Sequence, residues 1–169
     1  MPESKQSFAY IGSRTTLERR ARGKGLTVAR FNHETGTLTV DQVLGDLVNP
    51  TYLALSERHS TLYAIHGDGT EISAFRREAS TGHLNFLNRQ STEGQNPVHL
   101  SLSPSGDQVL VTNHQGASVV VLPLATNGNL LPVAQIERFD GTPGPHRTEQ
   151  TQAKPHFGAL PLAAADFWS

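Results

Sequence analysis

A chain of 169 residues holds about one domain, and 14 Lys+Arg against 15 Asp+Glu leave a net charge of −1, which argues against nucleic-acid binding through bulk charge. The absence of cysteine excludes disulfide scaffolds, thiolate zinc sites, thiol nucleophiles and attached c-type haem. No apolar run approaches the ~20 residues of a membrane helix and the first seven residues are polar, so a cytoplasmic, β-rich protein without membrane or nucleic-acid partners is expected.

In chain order, Phe8–Gly12, Leu26–Phe31 and Leu38–Val43 read as short strands. Next come Thr51–Leu55, Leu62–Ile65, Ile72–Phe75 and Leu84–Asn88, separated by Ser56–Ser60, Gly67-Asp68-Gly69 and Ser80-Thr81-Gly82. A further set follows: His99–Leu102, Val109–Thr112, Val119–Leu122 and Leu130–Ala134. The sets are copies of one pattern. Asn49-Pro50-Thr51-Tyr52-Leu53-Ala54-Leu55-Ser56 recurs 47 residues later as Asn96-Pro97-Val98-His99-Leu100-Ser101-Leu102-Ser103. Thr35-Gly36-Thr37-Leu38, Thr81-Gly82-His83-Leu84 and Asn127-Gly128-Asn129-Leu130 recur every 46. That period suits a four-stranded propeller blade, and the gaps are too short for crossover helices. The sequence therefore predicts a single partial domain over 1–169, an all-β propeller of four-stranded antiparallel blades. Blade one (8–45) lacks its first strand; blades two and three span 49–93 and 96–138, and 139–169 form an irregular connection and a non-repeat tail.

Strand alternation places the 2–3 loops and the blade-to-blade connections at one end of the ring. His66, His99, His114, His146 and His156 fall at that end, with Asn49, Asn96, Asn113 and the loop of Arg14, Arg19, Arg20, Arg22 and Lys24, whose only acid is Glu18. His33, His59 and His83 fall at the other. A concave mouth with convergent polar groups is the natural ligand site. The competing readings are structural: Asn-Pro as a turn device, His99 packed between blades, and His66, His114 and the basic loop simply solvated.

Asn-Pro-x-x-Leu-x-Leu-Ser, the Thr-Gly-x-Leu turns, Leu87-Asn88-Arg89-Gln90 and Asn96-Pro97-Val98-His99-Leu100 together resemble the lactonase family of seven-bladed propellers, which includes 6-phosphogluconolactonases and carboxymuconate-lactonising enzymes. The resemblance covers roughly residues 8–156 and implies three blades plus a stub of seven, hence an incomplete and weakly active or inactive lactonase. It also implies a metal-independent site, no cofactor and a small sugar-lactone substrate. A His-x-His-like stretch after a proline is matched by Lys154-Pro155-His156, with His156 in the second histidine's place and Lys154 in the first.

Lactone hydrolysis needs a base for the attacking water and donors for the oxyanion. His156 is the expected base, with His66, His99 and His114 lining the pocket and Arg147 or Arg14 clamping an anionic tail. No Gly-x-Ser-x-Gly elbow supports a serine nucleophile. The rival function is a non-catalytic propeller that serves as a protein scaffold, and open blade edges predict self-association.

Overall fold

The computed structural model describes residues 6–142, 144, 145, 148 and 151–160. Their strands form three antiparallel sheets, one per predicted blade. Blade one is β1 (Gln6–Gly12), β2 (Leu26–Asn32) and β3 (Thr37–Leu44), three strands with no innermost member. Blade two is β4 (Pro50–Ser56), β5 (Thr61–His66), β6 (Glu71–Arg77) and β7 (Leu84–Ser91). Blade three is β8 (Pro97–Leu102), β9 (Gln108–Asn113), β10 (Ser118–Pro123) and β11 (Gln135–Arg138). The one helical element among the described residues is a 3-10 turn at Leu17–Arg19, and no helix there is long and apolar enough to cross a membrane.

The last strand of blade three starts later than predicted. Leu130 makes only an isolated bridge to Leu124, and the ladder resumes at Gln135, opposite Val121. Pro132 lies between them and has no N–H to donate. Ser101 Oγ donates to the Gly158 carbonyl (3.1 Å) and the Gly158 N–H reaches His99 Nδ1 (3.4 Å), so the chain at Gly158 lies against β8.

Alternating side chains divide the interior into two cores, each between neighbouring blades. Leu26 and Val28 of blade one meet Leu62, Ala64, Phe75 and Leu84 of blade two. From the opposite face of blade two, Tyr63, Ile65, Ile72 and Ala74 meet Leu100, Val109, Val111, Val120 and Leu122. Period-2 alternation on β5 thus feeds both cores, which makes that strand buried throughout. Each fully buried aliphatic contributes about 1.5–3 kcal/mol. At the blade one to blade two seam the backbones nearly touch: a Cβ on Gly12 would overlap the Pro50 carbonyl.

Candidate active site at the mouth

Strand pairing fixes which groups share an end. Pro50 pairs with His66 and Pro97 with Asn113, so the starts of β4 and β8 lie beside the ends of β5 and β9. Ser56 pairs with Thr61 at the opposite end, where His59 sits, and His33 and His83 lie on the corresponding turns.

Asn49 and Asn96 organise the mouth, though not by bonding their own backbone as a simple turn would. Both have positive φ (41° and 53°), which asparagine tolerates better than most residues. Asn49 is fully buried and reaches back to the preceding blade: the Thr15 and Thr16 N–H groups donate to its Oδ1 (2.8 and 3.3 Å). Asn96 repeats the device one blade on, its Oδ1 accepting from the Asp68 N–H (2.8 Å). Each Asn-Pro therefore stitches its own blade to the 2–3 loop of the blade before.

The basic loop is anchored by the same scheme. Arg14 pairs with Asp68 (2.5 Å), and Arg19 makes a two-pronged contact to both oxygens of that carboxylate. Asn49 Nδ2 donates to it as well (3.2 Å). The Arg19 hydrogen bond, outweighing burial, holds the Asp68 carboxyl below its usual range. Glu18 is thus not the cluster's only acid in space. Arg14 and Arg19 are balanced by Asp68 and Glu18 at a cleft of about 520 Å³, lined by Thr16, Glu18, Arg19, Asn49, Asp68 and Gln115 among others.

The predicted histidines separate into two groups. His66 does not line the mouth: it is buried, its Nδ1 lies 2.6 Å from the Val48 carbonyl and its Nε2 2.7 Å from Ser73 Oγ. Asn113, at the same position of blade three, likewise bonds a serine hydroxyl (Ser118, 3.1 Å) and a carbonyl of the preceding connection (Thr92, 3.0 Å). Equivalent positions doing equivalent work mark His66 as a structural latch. Burial pushes its pKa down, and the neutral ring with Nδ1–H donating to Val48 satisfies both nitrogens. His99 is also buried, its ring between Tyr52 (centroids 4.5 Å) and Phe157 (4.1 Å), and burial lowers its pKa. Those three rings occupy the same place in successive innermost segments, two residues after Pro50, Pro97 and Pro155.

His114 and His156 do meet. Their rings stand edge to face with centroids 5.4 Å apart, His114 half-buried and His156 exposed. His114 Nδ1 lies 3.3 Å from the Pro155 carbonyl. In the neutral ring that contact puts the proton on Nδ1 and leaves the Nε2 lone pair available. Arg147 and His146 lie outside the described residues. Among the described residues no group of three or more His, Asp or Glu is disposed to hold a metal ion.

Sequence reasoning missed Asp68, read only as part of a Gly-Asp-Gly turn. Its signal was the repeat: Asp68 aligns with Gln115 at a shift of 47, and both border the cleft.

Residues 8–161 match the family described as Lactonase, 7-bladed beta-propeller. This chain belongs to that lactonase family. A 6-phosphogluconolactonase of Bacillus subtilis is 30 % identical over 151 residues, which are 88 % of this chain and 41 % of that protein. A solved Bacteroides fragilis protein shares the fold with a TM-score of 0.76 at 29 % identity, over 89 % of this chain and 40 % of that one. The Pseudomonas aeruginosa periplasmic gluconolactonase gives a TM-score of 0.70 at 25 % identity, over 79 % and 39 %. The chain spans about two fifths of the length of the curated relatives it matches. The family match extends to residue 161, so 157–160, expected to be non-repeat, fall inside it.

Proposed function

We propose that this chain forms the His114–His156 side of the active site of a sugar-lactone hydrolase of the 6-phosphogluconolactonase type. The observation that carries the reading is the meeting of those two rings at the loop end of a lactonase-family propeller. His156, exposed at the mouth, takes the proton from a water that attacks the lactone carbonyl. The ring C–O bond then breaks, and the imidazolium returns the proton to the leaving alkoxide, giving the open-chain acid. His114 lies beside the base. Arg14, whose carboxylate partner is shared with Arg19, holds a phosphate or carboxylate tail by exchanging one anion for another, and Arg147 is the alternative clamp. His99 acts from behind, through Phe157, rather than on substrate.

Three blades supply one side of a mouth, so the chain alone is expected to turn over below about 1 s⁻¹, under the usual range of enzymes. Acid release from 6-phosphogluconolactone, followed by pH-stat above the spontaneous rate, tests this. A residual rate that His156→Ala abolishes supports the assignment. A monomer turning over at about 1–10³ s⁻¹ contradicts the view that the far side of the mouth is needed. No acid release from any aldonolactone, with or without the substitution, favours the scaffold function instead.

A further inference from the structure

The two junctions between blades share their contacts but differ at the end away from the mouth. In both, a tyrosine hydroxyl donates to the glycine carbonyl of the next blade's 3–4 turn, Tyr10 to Gly82 and Tyr63 to Gly128 (2.9 Å each). At the second junction Arg76 also spans the gap: its Nη1 donates to the His59 carbonyl and its Nη2 to the Asn127 carbonyl of blade three. The same position of the first junction, 46 residues earlier, is Arg30, and the turn facing it is Ser80-Thr81-Gly82-His83. Arg30 does not make the crossing. Its Nε and Nη2 donate to the two oxygens of Asp41 on its own blade (3.0 and 2.6 Å). The Thr81 carbonyl, the counterpart of that of Asn127, accepts no hydrogen bond among the described residues.

One residue makes the difference. Asp41 is the extra residue of a β-bulge on β3, where Val28 pairs with Gln42 and Ala29 with Val40. The bulge of blade two carries Leu87 at that place, and Leu87 packs into the core between blades two and three. A carboxylate instead of a leucine draws Arg30 back onto its own blade, and the Arg30 hydrogen bond holds the Asp41 carboxyl below its usual range. A cavity of about 340 Å³ is left open, lined by Phe8, Arg30, Asp41, Ser80, Thr81 and His83. It lies between two blades that this chain contains, at the end opposite His114 and His156.

The lining selects a kind of ligand. The Arg30 and Asp41 charges cancel, so neither a phosphate nor a cation gains net attraction, and an anion would first have to displace the carboxylate. Asp41 is 16 % exposed and Arg30 42 %, which leaves the guanidinium edge, with Nη1 unbonded, as the open side of the pair. Arg30 Nη1 donates, and the Thr81 carbonyl and the Asp41 oxygens accept. The Thr81 hydroxyl, which accepts from the His83 N–H (3.2 Å), keeps its own proton to donate. Hydroxyl groups satisfy donors and acceptors at once, and a sugar carries several on a ring whose C–H face suits an aromatic side chain such as Phe8. The volume lies at the low end of ligand cavities, about 300–1,000 Å³, and suits a single ring. We propose that this cavity binds a neutral monosaccharide, a hydroxyl of which stands between Arg30 and the Thr81 carbonyl where Arg76 bonds its own turn directly. The inference does not depend on lactone hydrolysis.

Titrating the full chain with glucose, galactose and mannose, and following the imidazole signals by NMR, tests it. The His83 signal should move to saturation in the millimolar range with at least one hexose, while His114 and His156 stay still. Inorganic phosphate should bind there at least about tenfold more weakly than that hexose. Asp41→Leu installs the residue of blade two, frees Arg30 to reach the Thr81 carbonyl and closes the cavity, so hexose affinity should fall at least about tenfold. Arg30→Met removes the donor without restoring the crossing and should cost as much, which decides the matter if the first variant does not fold. A His83 signal that none of the hexoses moves overturns the proposal. So does phosphate binding as tightly as the best hexose, or hexose affinity that survives in the folded variants.

Discussion

Replacing Asn49 by alanine should cost about 4–5 kcal/mol of stability, an outsized effect for one residue at a loop boundary. The side chain is fully buried and accepts from Thr15 N–H at 2.8 Å while donating to Asp68 at 3.2 Å, two well-formed bonds of about 1 kcal/mol each. Removing the acceptor strands the Thr15 N–H in a part-buried place, which adds about 1 kcal/mol. Alanine must also hold the positive φ of 41°, at about 1–2 kcal/mol. Glycine carries the same losses of bonding without the backbone strain, so Asn49→Gly should lie about 1–2 kcal/mol above the alanine variant. Urea denaturation followed by far-ultraviolet circular dichroism measures both, with the slope unchanged if only stability has moved. An alanine variant within about 1 kcal/mol of the parent would refute the stitching role assigned to the bonds. Equal losses for alanine and glycine would refute the backbone part.

Stability should fall as the pH drops below about 6.5, because burial holds the folded pKa of His66 and His99 under the unfolded value. The unfolded chain then binds the more protons, so that stability is fully present above the unfolded pKa and is lost on acidification. His66→Asn should fold, since Asn113 does the same work in blade three, and should flatten the acid limb of a pH series of urea midpoints. An unchanged limb would mean that His66 does not stay neutral. Gly82→Ala should destabilise by at least about 1 kcal/mol more than Gly36→Ala, since both strain a left-handed backbone but only the first drives a methyl group into a neighbouring blade, at Phe8. Thermal unfolding of the two variants compares them directly, and equal losses would refute the close approach of Phe8 to Gly82.

The period of the Asn-Pro and Gly-x-Leu elements made the blades legible, because a blade buries its faces only against neighbours and so repeats its boundary residues. The same periodicity placed His66 and His114 at one end and His59 at the other. It did not say whether a residue at that end faces solvent or the neighbouring blade. His66 and His114 are 48 residues apart and close consecutive second strands, yet one fills a buried gap between a carbonyl and a serine while the other stands half open. That difference depends on one position of offset, since His66 ends β5 whereas His114 follows β9. The Asp68 clasp was hidden for another reason. Arg14 and Arg19 meet it across 54 and 49 residues of sequence, a long-range pairing set by blade packing rather than by any local pattern.

The assignment of the mouth is tested most directly by following all the imidazole signals by NMR while 6-phosphogluconate, the stable product acid, is titrated into the full chain. The account predicts that His114 and His156 move together, that buried His66 stays still, and that His33, His59 and His83 at the opposite end do not respond. Binding that shifts the second group, or that leaves His114 and His156 unmoved, would contradict it.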